Sequence, residues 1–238
     1  MSRSLPSSPV PDVVVVFSGG LDSTTAAYQA AASGARPTLL SVDYGQRHRT
    51  ELDHAVRLAG ELSAPHHVVD LRALGGLLNG SSLTDTSVDV PEGHYTDTSM
   101  RATVVPHRNA LLLDLAVAAA IGRGAGAVIF GAHAGDHPIY PDCRPAFLTA
   151  YRRMVRVANE GFLPAGFKVR APFLNMTKAD IVRLGTGLGV PYELTWSCYE
   201  GGRAHCGVCG TCTERREAFR LAEVPDPTRY AAPSAVTR

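Results

Sequence analysis

Val13 to Val16 are four consecutive β-branched residues, the pattern of a parallel strand buried on both faces. Thr24, Ala26, Ala27, Tyr28, Ala30 and Ala31 then read as a helix ending near Gly34. Thr38 to Tyr44 predicts a second strand, closed by Gly45. Thr50 to Leu62 places Leu52, Val56, Ala59 and Leu62 at helical spacing, and His66 to Leu71 predicts a third strand. Periodicity is lost from Leu74 to Met100, where glycines and Pro91 predict a long loop, either functional or disordered. It returns in a helix over Ala110 to Ile121, with Asn109 as candidate cap, and a strand over Ala127 to Ala132. A helix over Ala146 to Asn159 and a fifth strand over Val169 to Phe173 follow. Thr177-x-x-Asp180 is an acidic capping box that opens a helix through Leu184. Thr213 to Leu221 forms a last charged helix, stopped by Pro225-Asp226-Pro227.

This βαβαβ rhythm predicts an α/β fold with an open, mostly parallel five-stranded sheet and helices on both faces. Three segments follow: a disordered lead-in over 1–11, an α/β domain over 12–175, and a helical region over 176–238, either separate or packed with the α/β domain as one. Ligands of such sheets lie beyond the carboxyl ends of the strands, where Ser18 and Asp43-Tyr44 both fall.

Composition narrows the possibilities. The 238 residues are 45% hydrophobic, enough for a substantial core, and the net charge of +1 offers no field for nucleic acid or an anionic membrane. The first residues lack the apolar stretch of a signal peptide, and Asp114 interrupts the apolar run from Leu111 to Ile121. A cytoplasmic protein without membrane or nucleic-acid partners is expected. In that compartment five cysteines favour metal binding or free thiols over disulfides.

The strand-to-helix turn Phe17-Ser18-Gly19-Gly20-Leu21-Asp22-Ser23-Thr24 carries the strongest chemistry. Its glycines let backbone amides approach a ligand, its hydroxyls add donors, and the helix N-terminus adds partial positive charge. A polyphosphate fits such a cradle. Neither the Gly-Lys-Ser/Thr of the lysine-bearing P-loop nor the Gly-x-Gly-x-x-Gly dinucleotide spacing is present.

Two further stretches point to a ligand. The loop from Gly131 to Arg144 gathers His133, Asp136, Tyr140, Asp142 and Arg144 beyond a strand end, the place of a substrate lip. Lys178 lies in a helix's first turn, where the dipole disfavours a cation unless an anion is near; a solvated surface lysine fits the position equally well.

Cys198-x7-Cys206-x2-Cys209-x2-Cys212 has the spacing of four thiolates converging on one ion. Four sulfurs fill a tetrahedral zinc shell and leave no open position, so the ion is structural. Spacing alone also fits an iron–sulfur cluster. Cys143 lies apart from this group.

The first motif resembles the PP-loop of ATP pyrophosphatases, which split ATP into AMP and pyrophosphate. With Val42-Asp-Tyr-Gly-Gln46, Val105-Pro-His-Arg-Asn109, Tyr140-Pro-Asp-Cys-Arg144 and Thr195-Trp-Ser-Cys-Tyr199 before the cysteines, the chain from about Val13 to Tyr230 resembles the QueC family of that superfamily. The resemblance implies a ligase that converts 7-carboxy-7-deazaguanine, ammonia and ATP, with Mg²⁺, into the 7-cyano base through an acyl adenylate and an amide. It further implies a homodimer and a structural zinc at Cys198, Cys206, Cys209 and Cys212. By the same resemblance Phe17, Ser18, Gly19, Gly20, Leu21, Asp22, Ser23 and Thr24 hold the phosphates, and Asp43 and Tyr44 lie near the ribose or base. Ser18, Asp22, Arg108 and Lys178 form the catalytic set, and Tyr140, Asp142, Asp136 and His133 meet the deazaguanine. Family members commonly read Tyr-Pro-Asp-Cys-Arg-x-Glu-Phe, and here Ala146 replaces that glutamate. If the glutamate reads the base, Ala146 alters substrate affinity or identity. Three other readings remain open: another PP-loop enzyme of amidotransferase, tRNA thiolase or NAD synthetase type, a related protein acting on a different carboxylate, and a zinc-stabilised binding module without turnover.

Overall fold

The computed structural model describes residues 11–78, 80–94 and 98–231. Ten of the eleven residues of the expected N-terminal lead-in, 1–10, lie outside these residues. Five strands, β1 (Asp12–Val16), β2 (Arg36–Asp43), β3 (His66–Asp70), β4 (Ala127–Ile129) and β5 (Lys168–Arg170), form one sheet in the order β3-β2-β1-β4-β5. Every pairing is parallel, with Val14 facing Thr38 on one side and Val128 on the other. The helices are α1 (Leu21–Ala32), α2 (Thr50–Glu61), α3 (Arg108–Arg123), α4 (Pro145–Ala158), α5 (Lys178–Gly187) and α6 (Gly210–Ala222).

The two-residue period of β1 divides the core. Val13 and Val15 point into a cluster with Leu21, Leu58, Ile181 and Phe219, from α1, α2, α5 and α6. Val14 points the other way, to Leu113, Val117, Leu148 and Val155 of α3 and α4. Helices therefore cover both faces, as expected. The C-terminal helices α5 and α6 share the core of α1 and α2.

The chain leaves β1 toward β2 and β3, then returns across β1 to β4 and β5. This reversal opens a crevice between the carboxyl ends of β1 and β4, the usual ligand position in such sheets.

Several boundaries differ from the sequence pattern. β4 stops at Ile129 and β5 at Arg170. Asn109 does not cap α3: His107 occupies that position with φ 65° and makes no side-chain cap bond. The aperiodic segment is not merely loop, since it contains 3-10 turns and buries Ser81, Ser82, Leu83 and Met100. α6 begins at Gly210 rather than Thr213, so Cys212 lies in its first turn. The capping box of α5 forms as expected, with Thr177 and Asp180 bonding each other's backbone amides. No helix among the described residues is long and apolar enough to cross a membrane.

Candidate active site and metal centre

The Gly-rich turn joins β1 to α1, and Ser18, Gly20, Leu21, Asp22 and Ser23 line a cleft in the crevice. The turn is knit by its own hydroxyls. Ser23 Oγ accepts from Ser18 N and lies 3.2 Å from Ser18 Oγ, which accepts from Gly20 N. Gly19 has φ 77°, and a Cβ there would stand 2.8 Å from the Glu51 carbonyl oxygen. Glycine thus allows both the left-handed turn and the close approach of α2. Gly19 and Thr24 shape the turn from behind the cleft wall, and Phe17 lines it.

A charged cluster flanks the loop. Lys178 Nζ lies 2.6 Å from Glu214 Oε2 and 3.1 Å from Asp22 Oδ2. Burial alone would lower the pKa of the Lys178 ammonium, but the carboxylates of Asp22, Glu214 and Asp136 outweigh it and raise it. Lys178 is therefore no solvated surface residue. Asp22 and Asp136 line the cleft beside it. His133 lies behind: its Nδ1 accepts from Gly135 N, which places the ring proton of the neutral form on Nε2, 3.5 Å from Asp136 Oδ1. Fully buried and outside the cleft lining, His133 supports Asp136.

Another part of the cleft wall is aromatic. Tyr44, Tyr140, Trp196 and Tyr199 line it together with Arg108, whose Nη1 lies 3.4 Å from Tyr44 Oη. Tyr140 Oη pairs with Thr103 Oγ1 at 2.5 Å. Glu51 and His48 also line the cleft. Burial pushes the Glu51 carboxyl up to about 7, against the hydrogen bond from Gln46 and the charge of Arg108. Burial and Arg108 push His48 down to about 3, so its ring is neutral. Cys143 lines the cleft too, but burial raises its thiol pKa, which removes nucleophilic character.

Two expected ligand contacts are spent elsewhere. Asp142 faces away from the cleft lining, and its carboxylate accepts from Asn109 N and Nδ2, which caps the first turn of α3. Asp43 bonds Arg49 at 2.6 Å and the Gly45 amide, outside the lining. Ala146 is exposed on the first turn of α4 and lines no part of the cleft.

The four cysteines converge as their spacing predicts. Their sulfurs all lie within 4.8 Å of one another, with Cys206 and Cys212 Sγ 3.9 Å apart. Tetrahedral metal–sulfur bonds of about 2.3 Å require sulfur separations near 3.8 Å, so the group fits a metal ion. Backbone amides of Cys206 and Cys209 point at sulfurs, which suits thiolates. The same segment builds the cleft: Trp196 N donates to Gly19 O, and Trp196, Ser197, Tyr199 and Thr211 form one wall.

Glu51, His48 and Glu214 are cleft or cluster residues that sequence reasoning missed. The faint signal was present: Glu214 follows Cys212 by two residues, and Glu51 opens a helix just after Gln46.

The model of the family described as queuosine biosynthesis protein QueC matches residues 12–223. A 7-cyano-7-deazaguanine synthase from Rhizobium johnstonii is 55% identical over 217 residues, covering 91% of this chain and 91% of its own. Proteins of the same name from Rhizobium meliloti and Paracoccus denitrificans are 53% and 52% identical, covering 92% and 91% of this chain and 92% of each of their own. Together, the match over 12–223 and identity above one half along nine-tenths of both chains place this chain in the QueC family of queuosine biosynthesis proteins.

Proposed function

We propose that this chain is an ATP-dependent ligase that converts 7-carboxy-7-deazaguanine and ammonia into 7-cyano-7-deazaguanine. The observation that carries this reading is the 55% identity to the R. johnstonii synthase over 91% of both chains.

A carboxylate is a poor electrophile at neutral pH. Its oxygen attacks the α-phosphorus of ATP, and pyrophosphate leaves. Ser18, Gly20 and Ser23, at the N-terminus of α1, supply hydroxyl and amide donors for the pyrophosphate. Lys178 and Arg108, both in the cleft lining, bring positive charge to it. Ammonia then displaces AMP and leaves an amide. A second ATP adenylates the amide oxygen, and loss of AMP and a proton forms the nitrile. Two ATP thus yield two AMP and two pyrophosphate per nitrile. The protein orients reactants and stabilises developing charge, and no covalent nucleophile is required of Cys143. Asp22 would hold Mg²⁺, which would neutralise phosphate charge; its Oδ1, buried without a hydrogen-bond partner among the described residues, supports that role.

Zinc at the four cysteines, Mg²⁺ with ATP, a homodimeric state and a cytoplasmic setting belong to the same reading. Its test is incubation with ATP, Mg²⁺, ammonium and 7-carboxy-7-deazaguanine. Two AMP per nitrile supports it, and AMP formation without any change in the base contradicts it.

A further inference from the structure

We propose that Glu51 is the specificity-determining residue for the base, its carboxylate accepting hydrogen bonds from the ring N–H and exocyclic amine of the deazaguanine. This rests on the reaction proposed above. That base presents two adjacent donors on its pyrimidine edge, and a carboxylate with two free lone-pair directions is the side chain that matches them.

The carboxylates lining the cleft are Asp22, Glu51 and Asp136. Asp22 is engaged by Lys178 at the phosphate end. Asp136 accepts from His133 N and faces the same ring. Asp142, the expected reader, is turned to α3. Glu51, in the first turn of α2, lies within the electrostatic reach of Tyr44 and Arg108, and its neighbour His48 has its ring centroid 5.3 Å from that of Tyr199.

Its partners orient it without saturating it. Gln46 Nε2 donates to Glu51 Oε1 at 2.9 Å, and His48 Nε2 lies 3.5 Å from Oε2. Gln46 is itself fixed, since its Oε1 accepts from Tyr44 N and its Nε2 also reaches Val42 O. The end of β2 therefore sets the direction of the carboxylate. Each oxygen keeps a lone pair for a ligand. Tyr44 and Tyr199 line the cleft with it and give a bicyclic base aromatic neighbours. The Glu51 carbonyl approaches Gly19 closely, so α2 ties the carboxylate's position to the Gly-rich turn. The carboxyl's raised pKa fits a group that is incompletely partnered until donors arrive.

The test compares 7-carboxy-7-deazaguanine with 7-carboxy-7-deazahypoxanthine, which lacks the exocyclic amine. Wild-type kcat/KM should fall about 10- to 100-fold for the analogue, the scale of one charge-assisted hydrogen bond. Glu51→Gln should raise KM for the full base by about the same factor, leave KM for ATP unchanged, and shrink the discrimination to within about threefold. Equal use of both bases by the wild type overturns the proposal, whether or not the variant folds. So does a variant that keeps the discrimination, or one that loses ATP affinity instead. A wild type that makes no nitrile at all removes the underlying reaction, a distinct failure.

Discussion

Lys178 Nζ meets Glu214 Oε2 at 2.6 Å, joining the first turn of α5 to a helix that starts inside the cysteine cluster. Glu214 follows Cys212 by two residues, so the cysteine group sets the place of the side chain that steadies the cation at the Gly-rich loop. Glu214→Gln preserves shape but removes the charge, and Lys178 then loses its nearest carboxylate. The expected result is about a 10-fold or greater loss in kcat for AMP formation, at unchanged metal content. Steady-state kinetics beside metal analysis check it.

Metal removal should act on stability and activity together. Structural zinc contributes about 10–16 kcal/mol of apparent binding energy in small domains, comparable to a whole domain's stability. Here the four cysteines stand at the N-terminus of α6 and next to the wall bearing Trp196 and Tyr199, so an ion held by them would tie the two together. Treatment with a strong chelator, or Cys209→Ala, should lower Tm and abolish AMP formation in parallel. A metal-free protein with full turnover would show that the cluster is dispensable.

The buried Glu51 predicts two pH effects of opposite sign. Its folded-state pKa, about 7, lies above its ordinary value of 4.5, so the folded chain holds a proton that the unfolded chain has released. That contribution to stability is present at low pH and is lost as pH rises through about 7. Base binding requires the carboxylate, so KM for the base should fall as pH rises from about 6 to 8. His48, pushed down to about 3, stays neutral over this range, and Arg108 stays charged. Glu51→Gln should flatten both trends, which thermal unfolding and kinetics at several pH values would register.

Arg215 is fully buried and donates to Thr195 Oγ1, Ser197 Oγ and Tyr192 O, with Asp226 at 3.4 Å. It ties α6 to the segment that enters the cysteine cluster. Arg215→Met removes the donors to Thr195 Oγ1, Ser197 Oγ and Tyr192 O together with the positive charge beside Asp226. A loss of about 3–5 kcal/mol in urea unfolding is expected.

The sheet, the phosphate turn and the cysteine group were legible because local chemistry determines them. Four valines into Ser-Gly-Gly-x-Asp-Ser leave little choice of geometry, and Cys-x2-Cys spacing brings sulfurs together within a few residues. Side-chain direction in the loops was not legible. Asp142 and Asp43 lie beside cleft elements, yet Asp142 meets the first turn of α3 and Asp43 meets Arg49, partnerships formed only by tertiary packing. Glu51 and Glu214 read as ordinary acids on the polar faces of amphipathic helices. Periodicity separates polar from apolar faces, but it does not reveal that a polar face looks into a cleft. Arg215 hides within Glu214-Arg215-Arg216-Glu217, where only the fold shows which charge is buried.

The central claim, attack on the α-phosphorus by each carboxylate oxygen in turn, has a direct measurement. With 7-carboxy-7-deazaguanine carrying ¹⁸O in both carboxyl oxygens, mass spectrometry of the products follows every oxygen. Each of the two AMP molecules formed per nitrile should carry one ¹⁸O, with none in pyrophosphate. Label recovered in pyrophosphate or in water, or a nitrile formed without labelled AMP, would contradict it.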